Sequence, residues 1–183
     1  MKNSFLASKK IYLRPMDIED AELICQGEND PQVREALFLA LPINIDAARD
    51  RIQKQLADPA SIIFTICLIE NDLPIGQTAL FRVDYISRSA IFYLAILSPE
   101  HWASGVGTET TALMVDYAFA TLNLNRIQLH VNSENHPAIK IYQRIGFQKE
   151  GVLRQAMYKN GDYFDFWVMG ILHKDWRRLK DPS

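Results

Sequence analysis

Ser98-Pro99-Glu100-His101-Trp102-Ala103-Ser104-Gly105-Val106-Gly107-Thr108 joins an apolar run, residues 91–97, to a helical pattern that begins where it ends. Gly105 and Gly107 remove side chains where the backbone turns, so successive N–H groups can converge on one ligand. The helix start adds unpaired donors and a partial positive charge. Together these form a cradle for a diphosphate that needs no lysine. The alternative is an ordinary loop with two turn glycines, because a lone Gly-x-Gly is a weak signal. A dinucleotide fingerprint is excluded: three residues after Gly107 it requires Gly or Ala, and Thr110 stands there. A nucleoside-triphosphate loop is excluded too, since Thr108-Glu109 follows Gly107 in place of Lys-Ser/Thr.

Working outward, Ile91-Phe92-Tyr93-Leu94-Ala95-Ile96-Leu97 is apolar throughout and predicts a central strand covered on both faces. A helix is predicted over 107–122, with Glu109 and Asp116 facing solvent and Ala112, Val115, Ala118, Phe119 and Leu122 buried. Arg126-Ile127-Gln128-Leu129-His130-Val131 alternates as a strand with His130 outward, and a short helix over 137–145 ends at Gly146. Two strands joined by Asn160-Gly161, a hairpin dipeptide that accepts positive φ, close the chain. Upstream, residues 10–14 form a first strand, Asp17 and Asp20 cap a helix that Gly27 ends, Asp30-Pro31 opens a second, and Asn44 caps a third along Ile45, Ala48, Ile52 and Leu56. Residues 62–68 and 76–81 are strands about the Asn71-Asp72 turn. The order predicts a mixed α/β (α+β) layer fold around one sheet.

The 183 residues suit one domain spanning 1–183, and 48% hydrophobic with 23% charged excludes a disordered default. Twenty basic against 22 acidic residues leave no footprint for nucleic acid. No apolar run approaches the roughly 20 residues of a membrane span, and Met1 to Leu6 does not read as a secretory signal. Cys25 and Cys67 exclude a disulfide scaffold and a four-thiolate zinc site, and point to a reducing cytoplasm. His101, His130, His136 and His173 lack metal-ligand spacing, so no metal is expected.

A second constellation follows the 126–131 strand: Asn135-His136-Pro137-Ala138-Ile139-Lys140-Ile141-Tyr142-Gln143-Arg144-Ile145-Gly146-Phe147. A Gly-x-Gly loop opening a helix, then Asn-x-x-Ala-x-x-x-Tyr-x-x-x-Gly-Phe, resembles the Gcn5-related N-acetyltransferase (GNAT) superfamily. The resemblance covers nearly the whole chain. Ile11-Tyr12-Leu13-Arg14-Pro15, Glu28-Asn29-Asp30-Pro31 and Gly105-Val106-Gly107-Thr108-Glu109 are similar to the branch that acetylates ribosomal-protein N-termini. Asp84-Tyr85-Ile86, Arg88-Ser89-Ala90, Pro99-Glu100-His101, Leu122-Asn123-Leu124, Leu129-His130-Val131 and Asn160-Gly161 resemble its spermidine-acetylating members. Two departures stand out. The loop of those members begins Gln-Gly-Lys, whereas Trp102-Ala103-Ser104 carries no cation. Residues 33–45 hold Leu37, Phe38, Leu39, Leu41 and Ile43 with Glu35 as the only carboxylate, which points to a less charged, partly apolar acceptor.

The resemblance implies a GNAT fold, a mixed sheet of about six or seven strands with helices on both faces and a splayed strand pair holding the cofactor. It implies direct transfer of acetyl from acetyl-CoA, the co-substrate, to an amine in a ternary complex. Ala95, Ile96 and Leu97 with Trp102, Ala103, Ser104, Gly105, Val106, Gly107 and Thr108 would hold the cofactor. Asn135 and Ala138 would meet its pantetheine arm, with Asn135 also opening the turn before Pro137. Arg144 and Lys140 would meet the adenosine phosphate or be a solvated face. The N–H groups of Ile96 and Leu97 would stabilise the oxyanion, and Tyr142 would protonate the leaving thiolate. A lysine-like amine is only about 1 part in 10³ neutral at pH 7, so a proton must be removed. Residues 91–97 contain no glutamate; Glu134 is one candidate base, equally read as a solvated strand-end charge, with Glu28, Asp84 or a water chain behind it. Cys25 and Cys67 lie outside the motif, so no covalent intermediate is implied. The acceptor is a peptide N-terminus, an amino sugar or a small amine; spermidine acetylation and a non-catalytic CoA-binding module are the alternatives. Trp167 or Trp176 would be the dimerising surface of a homodimer.

Overall fold

The computed structural model describes residues 3–180; Met1, Lys2 and residues 181–183 of the expected domain and N-terminus lie outside the described residues. The chain runs β1 (Leu6–Ala7), β2 (Ile11–Pro15), α1 (Ala21–Asn29), α2 (Pro31–Leu37), α3 (Ile45–Ala57), β3 (Ile62–Leu68), β4 (Pro74–Asp84) and β5 (Ser89–Ile96). It continues through α4 (Val106–Asp116), β6 (Arg126–Asn132), α5 (His136–Ile145), β7 (Gln148–Lys159), β8 (Asp162–Leu172) and α6 (His173–Lys180). All eight strands form one mixed sheet in the order β1-β2-β3-β4-β5-β6-β8-β7. That is one strand more than expected, because two-residue β1 is too short to show a period. The last described element is α6, where a strand was expected to close the chain. No helix among the described residues is long and apolar enough to cross a membrane.

The caps follow the sequence closely. Asp17 and Asp20 form a reciprocal capping box on a single 3-10 turn that leads into α1. Asp20 also accepts the Arg14 guanidinium fork at 2.6 and 2.9 Å and the Thr65 hydroxyl at 2.6 Å. One buried carboxylate thereby joins β2, the turn and β3. Asp30 accepts from the N–H groups of Gln32 and Val33, and Asn44 from that of Ala47. Asn160 and Gly161 have the positive φ their hairpin requires, 51° and 96°.

Gly27 does not end α1, which continues to Asn29. A Cβ at Gly27 would lie 2.5 Å from the Leu97 Cβ, so this glycine is where the helix presses against the end of β5. The expected outward carboxylates of α4 are both fasteners. Glu109 accepts from the Ser8 hydroxyl at 2.5 Å and the Lys10 N–H at 2.9 Å. Asp116 accepts from the Trp176 indole and the Lys180 ammonium, each at 2.7 Å. Trp176 packs on the core, as does Trp167 beneath the Lys149 ammonium, 3.8 Å from its ring. Both indoles are half-buried rather than exposed, because each packs partly against its own chain.

Alternation along β5 divides the interior. Ala90 and Phe92 join Val106, Met114, Ile139 and Tyr142 in the core beneath α4 and α5. Ala95 and Leu97 join Ala21, Ile24, Ala48 and Ile52 beneath α1 and α3. Helices therefore cover both faces. Tyr93, Leu94 and Ile96 are only half-buried, unlike the fully covered strand expected from their apolar run. The reason is a parting of strands: β5 pairs with parallel β6 only at Ser89↔Arg126, Ala90↔Ile127 and Ile91↔Gln128. Beyond Ile91, β6 continues along β8 while β5 stays with β4.

Candidate active site

A strand offers its main-chain groups alternately to its two neighbours. Leu97 donates its N–H to Ile75 of β4 at 2.8 Å. This corrects the expectation that the Leu97 amide stabilises an oxyanion, since that hydrogen is already spent. Two residues back, Ala95 faces Gln77 with the same parity, so its main chain also turns to β4. Leu94 and Ile96 have the other parity and face the gap that β6 has left. The Ile96 carbonyl accepts from the Trp102 indole at 3.0 Å, so Trp102 reaches the site through its side chain.

The loop between β5 and α4 has the alternating handedness of an anion-binding nest, with positive φ at Ala103 (58°) and Gly105 (93°). Trp102 donates its amide to Pro99, and Thr108 and Glu109 donate theirs to the Gly105 carbonyl. Those amides are closed, which removes the main-chain part of the expected Trp102 and Thr108 contacts. Between them, the N–H groups of Ala103, Ser104, Gly105, Val106 and Gly107 have no acceptor among the described residues. Five consecutive donors at a helix start are a site for a doubly charged anion. One residue the sequence reading did not single out joins them: the Lys10 ammonium donates to the Ser104 carbonyl at 2.7 Å. Nothing in the letters could have placed it, because it comes from the turn between β1 and β2.

Helix α5 forms the other wall. The Asn135 side-chain oxygen caps it by accepting the Ala138 N–H at 3.2 Å, and its amide hydrogens have no acceptor among the described residues. Ala138 is half-buried against the core. Tyr142 is buried, its ring edge-on to Phe92 at 6.3 Å and to Phe147 at 5.8 Å. No described group hydrogen-bonds its hydroxyl, yet no buried side-chain polar atom among the described residues lacks a partner, so that oxygen opens to solvent. Burial, with the neighbouring Tyr93 phenol second, pushes its pKa up to about 12.

The candidate bases separate. Glu134 is exposed in the turn between β6 and α5, where its N–H donates to the Asn132 side chain at 3.0 Å. Glu28 is buried and gripped by both Arg51 nitrogens at 2.8 and 2.9 Å. Asp84 accepts from the Ile86 and Ser87 N–H groups in the turn before β5, the end opposite the gap. Arg144 and Lys140 are exposed on α5. Among the described residues, no group of His, Cys, Asp and Glu could hold a metal.

An aromatic cluster lies at the end of β6 that has parted from β5. Phe166 lies opposite Asn132 at the end of β6, and the Phe38 ring sits 5.9 Å from it and 5.4 Å from Phe164. The Lys159 ammonium covers Phe38 at 4.5 Å and pairs with the Glu35 carboxylate, which it holds below the usual range.

An unpaired strand edge beside a nest of free amides is what a diphosphate followed by an amide-containing arm requires. Comparison with known proteins points to one family. A family model described as "Acetyltransferase (GNAT) domain" matches residues 10–148. The chain is 34% identical over 176 residues to the uncharacterized N-acetyltransferase p20 of Bacillus licheniformis, covering 93% of this chain and 97% of that protein. It is 32% identical over 165 residues to the spermidine N(1)-acetyltransferase of Vibrio cholerae, covering 90% and 94%. The crystal structure of spermidine N-acetyltransferase from Vibrio cholerae in complex with CoA and spermine superposes with a TM-score of 0.83 at 30% identity, covering 91% of this chain and 98% of that one. Motifs, splayed strands and relatives agree, and the chain belongs to the GNAT family as an acyltransferase whose acyl donor is acetyl-CoA.

Proposed function

We propose that this chain transfers acetyl directly from acetyl-CoA to the primary amine of a small acceptor with an apolar flank. The observation that carries the reading is the run of five free amides, Ala103 to Gly107, beside the open β5 edge and the Tyr142 hydroxyl. The nest takes the diphosphate, and the free groups of Leu94 and the Asn135 amide hydrogens take the pantetheine arm. The Ile96 N–H alone, in place of an Ile96 and Leu97 pair, faces the developing oxyanion. The acceptor nitrogen attacks the thioester carbonyl, and the Tyr142 phenol donates its proton to the departing thiolate. No carboxylate is assigned as base: Glu28 is consumed by Arg51, Asp84 sits at the wrong end, and exposed Glu134 leaves a water chain to carry the ammonium proton outward.

For the acceptor, the spermidine enzymes among the relatives support a small amine. Phe38, Phe164 and Phe166 favour an apolar neighbour to that amine over a polycation. Glu35 is held by Lys159 and Glu28 by Arg51, so neither is left to grip a second ammonium. Spermidine acetylation is the second reading, supported by the relatives alone. Thiol release from acetyl-CoA, measured against aryl-alkyl amines, peptides, amino sugars and polyamines, separates them. The expected result is a kcat/KM for apolar monoamines at least about tenfold above that for spermidine, the scale of one apolar pocket contact. Spermidine as the best acceptor would support the second reading, and CoA binding without turnover on any amine would make the chain a binding module.

A further inference from the structure

We propose that Lys10 is a ligand of the CoA diphosphate, the cation of a phosphate loop that contains none of its own. The proposal rests on the reading of residues 103–107 as the diphosphate nest. Between Pro99 and Asp116 the chain has no lysine or arginine, so the loop and the helix it opens bring no permanent positive charge to a dianion. The Lys10 ammonium fills that place from a distant part of the chain. It donates to the Ser104 carbonyl at 2.7 Å and lies 3.7 Å from where a side chain on Gly105 would begin. A side chain at Gly105 would therefore touch the ammonium.

The ammonium is placed there by a built latch. Glu109, in the first turn of α4, accepts from the Ser8 hydroxyl and the Lys10 N–H. Burial raises its pKa, but Ser8, the Lys10 N–H and the Lys10 charge outweigh burial and hold it below the usual carboxylate range. Glu109 therefore stays ionised at neutral pH and keeps the β1–β2 turn against the helix start. The carboxylate is held by the Ser8 hydroxyl and by main-chain N–H groups of Lys9 and Lys10, while the Lys10 side chain hydrogen-bonds only a neutral carbonyl among the described residues. That leaves two further ammonium hydrogens for phosphate oxygens, as charge-assisted bonds stronger than those of the amides alone.

Calorimetric titration of the purified chain with CoA tests this, using Lys10→Gln, Lys10→Arg and the neighbouring Lys9→Gln. The Kd for CoA should rise roughly tenfold in Lys10→Gln, with a weaker dependence on salt, because one screened charge pair is gone. Lys10→Arg should restore most of the affinity, and Lys9→Gln should match the parent. Acetyl-pantetheine, which lacks the diphosphate, should show the same KM with the parent and Lys10→Gln. An unchanged Kd for CoA in Lys10→Gln would overturn the proposal, as would equal weakening toward CoA and acetyl-pantetheine, which marks a structural role. Failure of the parent chain to bind CoA would be a different result, overturning the diphosphate reading of the nest itself. Lys10 is exposed, so melting temperatures within a degree or so of the parent should accompany these variants.

Discussion

At Tyr142, burial holds the phenol pKa at about 12, so the side chain keeps its proton over the whole range in which an amine acceptor loses its own. Its assigned task requires that. Tyr142→Phe should lower kcat at least about tenfold while the Kd for CoA changes less than twofold, since the hydroxyl is asked only for proton donation. In the parent chain kcat/KM should climb with pH as the amine deprotonates, with no alkaline fall below about pH 11, and steady-state rates between pH 6 and 10.5 check it. The position of this tyrosine was legible, because seven residues from Asn135 and four to Gly146 is a spacing, and spacing survives without coordinates. The parity of the Leu97 amide was not legible. Which way a strand N–H points depends on which neighbour pairs and in what register, and the letters of residues 91–97 carry neither.

Helix α1 approaches the end of β5 closely at Gly27. Gly27 reads as a helix end in the letters because glycine serves both as a cap and as a contact without a side chain. Here it is a contact: the missing side chain lets α1 lie against Leu97, one residue beyond Ile96. Gly27→Ala would place a Cβ 2.5 Å from the Leu97 Cβ and 3.0 Å from the Leu97 carbonyl oxygen. Overpacking of this kind costs about 1–3 kcal/mol. The variant should melt several degrees lower and lose turnover more than it loses CoA affinity, because the nest lies on α4, away from α1. Melting curves with calorimetric titration and initial rates check this, and a variant matching the parent in all three would detach Gly27 from the site. Caps such as Asp30 and Asn44 were legible since they act on neighbours two or three residues away.

The molecule as a whole is one sheet whose centre opens. Its stability on the α1 side leans on Asp20, buried at 4% exposure and joined to Arg14, Thr65 and the Asp17 N–H. Burial raises its pKa, but Arg14, Asp17 and Thr65 together outweigh burial and hold it below the ordinary value. A depressed carboxylate stabilises the fold above its unfolded pKa of about 3.9 and loses that contribution as pH falls through the folded value. Asp20→Ala, which leaves Arg14 without its partner, should cost roughly 3 kcal/mol at pH 7 and flatten the loss of stability below pH 4, as denaturant melts across pH would read. The sheet, its two helical layers and the turn between β5 and α4 were legible because apolar periods and glycine spacing are local. What escaped, β1, α6 and the Lys10 latch, depends on contacts between distant segments: Lys10 reaches Ser104 across 94 positions, and α6 is tied to Asp116 across 60. The central claim is that five free amides and a parted strand edge hold acetyl-CoA. Amide hydrogen exchange with and without saturating CoA measures it: exchange should slow at residues 103–107 and at Leu94 and Ile96, and unchanged exchange at 103–107 would contradict it.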